Sequence, residues 1–336
     1  MTISDEDVRN AYRFILGRMP ESEDVVRGHR ESHRSIADLR TTFLGSPEFR
    51  NQGFTSAGPF LAFEPPPHVD IDADPSTIRA MLARTASYWA RVGKAEPYWS
   101  MGAGEKFLVS QWSDNQGEFY RSGNDDRDLV VALLRRVGRS PKDVKRVIEY
   151  GCGVGRSTIP LARTFASVAG IDISSSHLDL AMRYASAERM GNIEFLLTTP
   201  DDLMPTKEYD LWFSRAVLPH NPPPVIGAIL AETFKRLEAN GTAIVVLPTY
   251  ISGYSFHLDE YMSETSRELR ELDGLLARGL DDGNAARQVV RLAERHAMPA
   301  HAVLKIARDQ HCWLMDVHEE PGHPDEILHV FTFGKT

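Results

Sequence analysis

Residues 147–158 read VIEYGCGVGRST. A β-branched, apolar run leads into glycines at 151, 153 and 155, and Asp172 stands twenty-one residues beyond the first of them. Glycine answers two needs at the end of a strand. The chain can turn sharply there, and a ligand can approach the backbone without meeting a Cβ. The dinucleotide fingerprint is G-x-G-x-x-G. Here Arg156 holds the sixth place and the glycines fall as G-x-G-x-G. Glu149 and Tyr150 stand directly before the loop. A carboxylate at that point repels a pyrophosphate and suits a ligand carrying an ammonium group. The loop, with Cys152 as its small intervening residue, therefore reads as a seat for an amino-acid-bearing nucleoside. Asp172 closes the second strand, in GIDIS, where a carboxylate accepts hydrogen bonds from ribose hydroxyls. Nicotinamide enzymes share that arrangement, and the alternative role for Asp172 is an acid starting the helix at SSSH.

Outward from the loop, strand and helix patterns alternate. Strands are expected at 145–150, 167–173, 192–197, 209–218 and 241–248, and helices at 157–165, 176–190 and 223–237. Such alternation implies a parallel sheet covered on both faces. The end differs, because 311–320 and 326–335 are consecutive strands with only PGHPD between them. The expected fold is α/β, a Rossmann-like doubly wound seven-stranded sheet with an antiparallel last strand. This core spans 139–336 and carries a helical insert at about 250–298. Before it lie a helical lead-in at 77–138, a proline-rich linker at 55–76 and a helical appendage at 1–54. In the appendage, Ser4 and Asp7 start a helix that aligns Val8, Tyr12, Ile15 and Leu16, with Gly17 and Pro20 ending it. Two more helices are expected at 22–32 and 35–44.

The chain has 336 residues and a formal charge of −9, from 38 basic and 47 acidic residues. That sign repels phosphate backbones and argues against a nucleic-acid substrate. Cys152 and Cys312 are the two cysteines, too few for a disulfide framework. No run approaches the roughly 20 apolar residues of a membrane span, and the N-terminus has no apolar signal core. A cytoplasmic protein is expected. The histidine spacings, including HEEPGH at 318–323, match no metal motif, so no metal site is expected.

VIEYGCGVGRST, VAGIDIS, NIEFLLTTPDDL and SRAVLPHNPP together resemble the class I S-adenosylmethionine-dependent methyltransferases, over roughly residues 85–336. The resemblance implies methyl transfer that yields S-adenosylhomocysteine. It places Glu149, Gly151, Gly153 and Gly155 around the methionine and ribose, Asp172 on the ribose diol and Ile173 on the adenine. The family's acid after the third strand is replaced by Thr199, so backbone at Thr199 and Pro200, or Asp201, takes its place. Ser214 and Arg215 are candidates for the cofactor carboxylate or the acceptor.

Methyl transfer is an in-line displacement that needs positioning and exclusion of water. A hydroxyl acceptor also needs its proton removed, and His220, in FSRAVLPHNPPP, stands at the end of strand four to do so. The other reading of His220 is a brace for this proline-stiffened loop. Tyr98, Trp99, Phe119 and Tyr120, in EPYWSM and GEFYRSG, are candidates for the acceptor pocket or for packing. After strand five, PTYISGYSFHLDEYM offers Tyr250, Tyr254, Phe256, His257 and Tyr261 at the rim, rings that suit carbohydrate or a mixed small molecule.

Residues 1–54, through YRFILGRMP and FLGSPEFR, resemble a small bacterial domain of unknown function that accompanies surface-polysaccharide proteins. That resemblance implies O-methylation of a glycan or sugar intermediate, and a protein partner docking through 1–54. The competing readings are methylation of a small secondary metabolite, a nicotinamide-dependent oxidoreductase, and a catalytically silent cofactor-binding protein.

Overall fold

The structure is a computed structural model that describes residues 3–16, 18–49, 68–102, 104–264, 271–272, 274–276, 289, 293–320 and 325–336. Gly17, His323, most of the linker expected at 55–76 and much of the insert expected at 250–298 lie outside these residues. The chain divides into two compact units, 1–65 with 323–325, and 66–322 with 326–336.

In the first unit, α1 (Asp5–Ile15), α2 (Glu23–Ser32) and α3 (Ile36–Leu44) precede a short turn, α4 (Pro47–Phe49). Ser4 and Asp7 form a reciprocal capping box at the start of α1, while Ser22 and Ser35 cap α2 and α3. Val8, Tyr12 and Leu16 face Val26, Leu39 and Phe43 in a small core, where Tyr12 meets Phe43 edge-on at 4.9 Å.

The second unit opens with α5 (Pro75–Ala95), α6 (Trp99–Gly102) and α7 (Trp112–Arg136). Asp74 starts α5 by accepting the N–H groups of Ser76 and Thr77, and Pro75 fits the first turn, where no N–H is needed. Then come β1 (Val147–Tyr150), α8 (Thr158–Ala162), β2 (Val168–Asp172), α9 (Ser175–Ala187), β3 (Ile193–Leu197) and β4 (Tyr209–Ser214). α10 (Pro223–Arg236), β5 (Leu237–Ile251), α11 (Leu258–Glu264), α12 (Ala300–Asp309), β6 (Cys312–Glu320) and β7 (Glu326–Lys335) complete it.

The seven strands are ordered β3-β2-β1-β4-β5-β7-β6, with β7 antiparallel to both β5 and β6 and the other pairings parallel. Side chains alternate between the faces. Ile148, Trp212, Val245 and Leu247 meet Ile226, Leu230 and Phe234 of α10, together with α5 and α12. Val147, Leu211, Phe213 and Ile244 meet Val130, Leu133 and Leu134 of α7 on the other face. Burial on both faces explains why these strands are mostly apolar, with Glu149, Asp210 and Ser214 as buried polar exceptions. β5 runs past the expected end at Pro248 because its pairing with β7 resumes at Tyr250 after a register shift. The extra residue of the bulge is Thr249, directly after the proline that cannot donate to the ladder. The strand order reverses direction between β1 and β4, so a crevice opens at the carboxyl ends of β1 to β4.

Candidate functional site

The glycine loop leaves β1 into that crevice. Gly151 and Gly153 have φ of +80° and +54°, and a Cβ on either would overlap a neighbour, Val217 over Gly151 and Met101 over Gly153. Backbone conformation and close packing thus both require glycine at these two places. The N–H groups of Gly151 and Cys152 donate to Ile171 O at 2.7 and 3.0 Å, which ties the turn to β2. Asp172 then completes the floor. Its Oδ2 accepts Gly153 N–H and its Oδ1 accepts Ser174 N–H, each at 2.8 Å.

A cleft lies over this floor. Gly151, Asp172, Ile173 and Thr198 line it from the strand ends, and Ala216, Val217, His220 and Asn221 from the loop after β4. Leu82, Thr85 and Trp89 of α5, Met101 of α6 and His177 of α9 form the remaining wall with Tyr150. Ala216 adopts φ +59° inside this loop, a left-handed conformation that costs a non-glycine residue energy and is retained by its surroundings.

Glu149, Cys152, Gly153 and Gly155 are not among the lining residues. Glu149 shares the face of β1 with Val147, toward α7 and α8, where Thr158 Oγ1 donates to it. Burial pushes its carboxyl up to about 8, opposed by that hydroxyl. The sign of the consequence is fixed, because the folded value lies above the ordinary 4.5. From pH 5 to 8 the unfolded chain releases a proton that the folded chain keeps, so rising pH favours unfolding. Glu149→Gln is expected to flatten the decline of Tm between pH 5 and 8 in cofactor-free protein; an unchanged slope removes Glu149 as its source. Burial likewise raises the Cys152 thiol well above its ordinary value, and its sulfur packs against Gly170.

Several expected residues stand elsewhere. The crevice reaches Thr198, whose hydroxyl donates to Asp202 O and Leu203 O, and not Thr199, Pro200 or Asp201. The Asp201 side chain is 88% exposed and faces Arg79. Ser214 is fully buried and donates to Tyr150 O at 3.0 Å, bracing β4 to β1. Arg215 pairs with Asp126 and Glu320, and Asp126 also accepts from Arg156 and Ser157. This carboxylate on α7 thus anchors the residues just after the glycines.

Tyr98 stacks on Trp112, Tyr120 stacks on Tyr184, and Trp99 is buried in the same cluster, none of them lining the cleft. Tyr120 Oη does donate to Val154 O, so it steadies the glycine loop from outside. Tyr250 is buried within β5, and His257 is exposed and stacked on His68. These placements share a cause, since an aromatic ring reads the same in sequence whether it packs or binds. Residues of the wall that spacing did not mark are Thr85, Trp89 and His177. One signal was available: Gly93 lies inside the long α5, and a Cβ there would strike the His177 ring and Ser174.

His220 is held by a defined network. Its Nδ1 donates to Glu294 O at 2.8 Å, and Trp89 meets its ring edge-on at 5.4 Å. A carbonyl can only accept, so Nδ1 carries the proton and Nε2 of the neutral ring keeps its lone pair. No partner to Nε2 is found among the described residues. Burial lowers the imidazole below its ordinary value, which outweighs the opposing bond to Glu294 O. His296 N–H donates to Pro219 O at 2.7 Å, and its ring links Tyr254 to the Glu294 carboxylate. Burial works to raise that carboxylate, but His296, Arg84 and Tyr261 together hold it below the usual range. Tyr254 thus braces the loop that carries His220 at second hand, and does not line the cleft.

Residues 147–241 match a family described as a methyltransferase domain. Ubiquinone biosynthesis O-methyltransferase of Pelagibacter ubique (strain HTCC1062) is 26% identical over 163 residues, 45% of this chain and 67% of that protein. Magnesium-protoporphyrin O-methyltransferase of Rhodobacter capsulatus is 32% identical over 117 residues, 34% of this chain and 51% of that protein. The chain spans about two thirds of the length of the first relatives it matches, 67%, 66% and 65%. Among solved structures, magnesium protoporphyrin IX methyltransferase from Synechocystis PCC 6803 with bound SAH has a TM-score of 0.49 at 18% identity, covering 78% of this chain and 100% of that one. With the glycine loop, Asp172 and the sheet order in place, residues 147–241 carry a methyltransferase domain of the class I, S-adenosylmethionine-dependent type.

Proposed function

We propose that the chain transfers a methyl group from S-adenosylmethionine to an oxygen of a small, largely apolar acceptor, with His220 as the general base. The observation that carries this reading is the His220 geometry: Nδ1–H committed to Glu294 O, Nε2 uncommitted, and the ring lining the cleft. A neutral imidazole so oriented accepts the proton of an acceptor hydroxyl as the new bond forms. The relatives' names, which specify O-methyltransferases, point the same way.

The residues present fit the family's cofactor. Each oxygen of Asp172 takes one backbone N–H and retains a lone pair for a hydroxyl. Asp172, Ile173, Gly151 and Thr198 would hold the nucleoside, and the glycine loop lets it approach the backbone. When bound, the sulfonium supplies an electrophilic methyl group. Leu82, Trp89 and Val217 exclude water around it and turn an apolar face to the acceptor. That face favours a ring system over the glycan or sugar expected from the appendage.

The test is a turnover assay with labelled cofactor against a phenol, an aryl carboxylic acid, an amine, a thiol and a sugar alcohol. Transfer to the phenol supports the reading, and transfer to the acid alone, whose carboxylate needs no base, overturns His220 as the base. Transfer confined to the amine, thiol or sugar overturns it, and cofactor binding without turnover on any of them points to the silent protein. We assign residues 1–54 to docking with a protein partner, so their deletion is expected to leave cofactor affinity unchanged. A cytoplasmic setting accords with two free thiols, Cys152 and Cys312. Among the described residues no helix is long and apolar enough to cross a membrane.

A further inference from the structure

Away from the cleft, His68, Asp70 and His257 come together although they are far apart in sequence. A parallel bridge joins Val69 to Phe256. Phe256 N–H donates to His68 O at 2.8 Å, and Asp70 N–H donates to Phe256 O at 3.0 Å. Side chains alternate along extended backbone. Val69 and Phe256 pack against the main core, so His68, Asp70 and His257 share the outward side. The carboxylate is already oriented, since its Oδ2 accepts Leu258 N–H at 2.9 Å at the start of α11. Its Oδ1 lies 3.0 Å from His68 Nε2. The two imidazoles stack with centroids 4.4 Å apart, and one ligand-capable atom from each of the three residues lies within 4.8 Å of the others.

We propose that His68, Asp70 and His257 form a binding site for a divalent transition metal ion. Two imidazoles and one carboxylate make a donor set suited to zinc, cobalt or nickel, whereas calcium and magnesium prefer all-oxygen shells. The ion takes the place of the proton between His68 Nε2 and Asp70 Oδ1. The two rings turn out of their parallel stack to direct a nitrogen at it, which costs little because both are exposed. A fourth position remains for water. The ion ties the segment before α5 to the loop after β5. Phe256, at the centre of that junction, packs edge-on against His296 at 5.5 Å, and His296 holds Pro219, the residue before His220. The site is thus a clamp behind the base-bearing loop. Sequence spacing hid it, because the bridge that assembles it pairs two short, non-neighbouring segments.

The test uses the full chain without an affinity tag, stripped with a chelator, dialysed, and titrated with zinc chloride and cobalt chloride by calorimetry. One equivalent is expected to bind, with a rise in Tm on zinc addition and a visible cobalt spectrum of tetrahedral intensity. His257→Ala and Asp70→Asn are each expected to weaken binding by more than about 10-fold, while His311→Ala leaves it unchanged. His257 and His68 are exposed, so circular dichroism and unaltered cofactor affinity in His257→Ala and His68→Ala will report an intact fold. Binding that survives His257→Ala, or no binding at one equivalent, overturns the proposal.

Discussion

His220→Ala is expected to lower turnover by about 10²–10⁴-fold, the range for loss of a positioned general base, with cofactor affinity near that of the parent. The two roles that the sequence left open have different requirements. A brace needs only the Nδ1–H bond to Glu294 O, which His220 makes. A base also needs an accepting Nε2 in the cleft and a ring that is neutral at working pH. Burial supplies neutrality by lowering the imidazole from its ordinary 6.5. The sign follows directly: the base form persists below that value, so kcat/KM should stay flat from pH 8 to 7 and fall only as pH drops through the lowered value. His220→Ala should abolish that acid limb along with the rate. A variant that turns over within a fewfold of the parent and keeps the limb would leave His220 as a brace only.

Asp172→Ala is expected to weaken cofactor binding by about 1.5–3 kcal/mol, the range for hydrogen bonds to a charged group. By the same arithmetic this is about 10–150-fold in Kd. The structure adds a second expectation. Asp172 holds Gly153 N–H and Ser174 N–H, so its removal orphans two donors and loosens the loop even without cofactor. Cofactor-free Asp172→Ala should therefore melt lower than the parent. Asp172→Asn, which keeps one carbonyl acceptor, should recover part of the Tm and less of the affinity. Near-normal affinity of Asp172→Ala in calorimetry removes the residue from the cofactor site.

The central sheet was legible because parallel strands buried on both faces carry no polar alternation to obscure them. β1 and β4 are buried at every position, and each is mostly apolar and bounded by turn residues, with Glu149, Asp210 and Ser214 as buried polar exceptions. The closing antiparallel strand was legible from the short link between 311–320 and 326–335. The length of β5 was not, because proline rules stop a strand at Pro248 and only the partner β7 carries it further. The strand-end part of the site followed the same logic. Gly151, Asp172, Ile173 and His220 sit where strand ends deliver them, and local sequence marks strand ends. Thr85, Trp89 and His177 come from helices whose docking decides which side chains reach inward. Periodicity shows a helix's buried face but not which turn of it meets a ligand. Tyr98 and Tyr120 illustrate the converse, as rings that stack on Trp112 and Tyr184 away from the cleft.

Val217 fills the hollow that Gly151 leaves by lacking a side chain. The turn after β1 and the turn after β4 are thereby keyed together, tooth into notch. Anyone exchanging the 215–222 segment for one with a different acceptor preference must carry over a side chain of matching shape at 217. A smaller residue there would open a void beneath the cofactor seat, and a larger one would push the glycine turn out of register. Changes in that segment are therefore expected to disturb the glycine turn as well, unless residue 217 is held as valine.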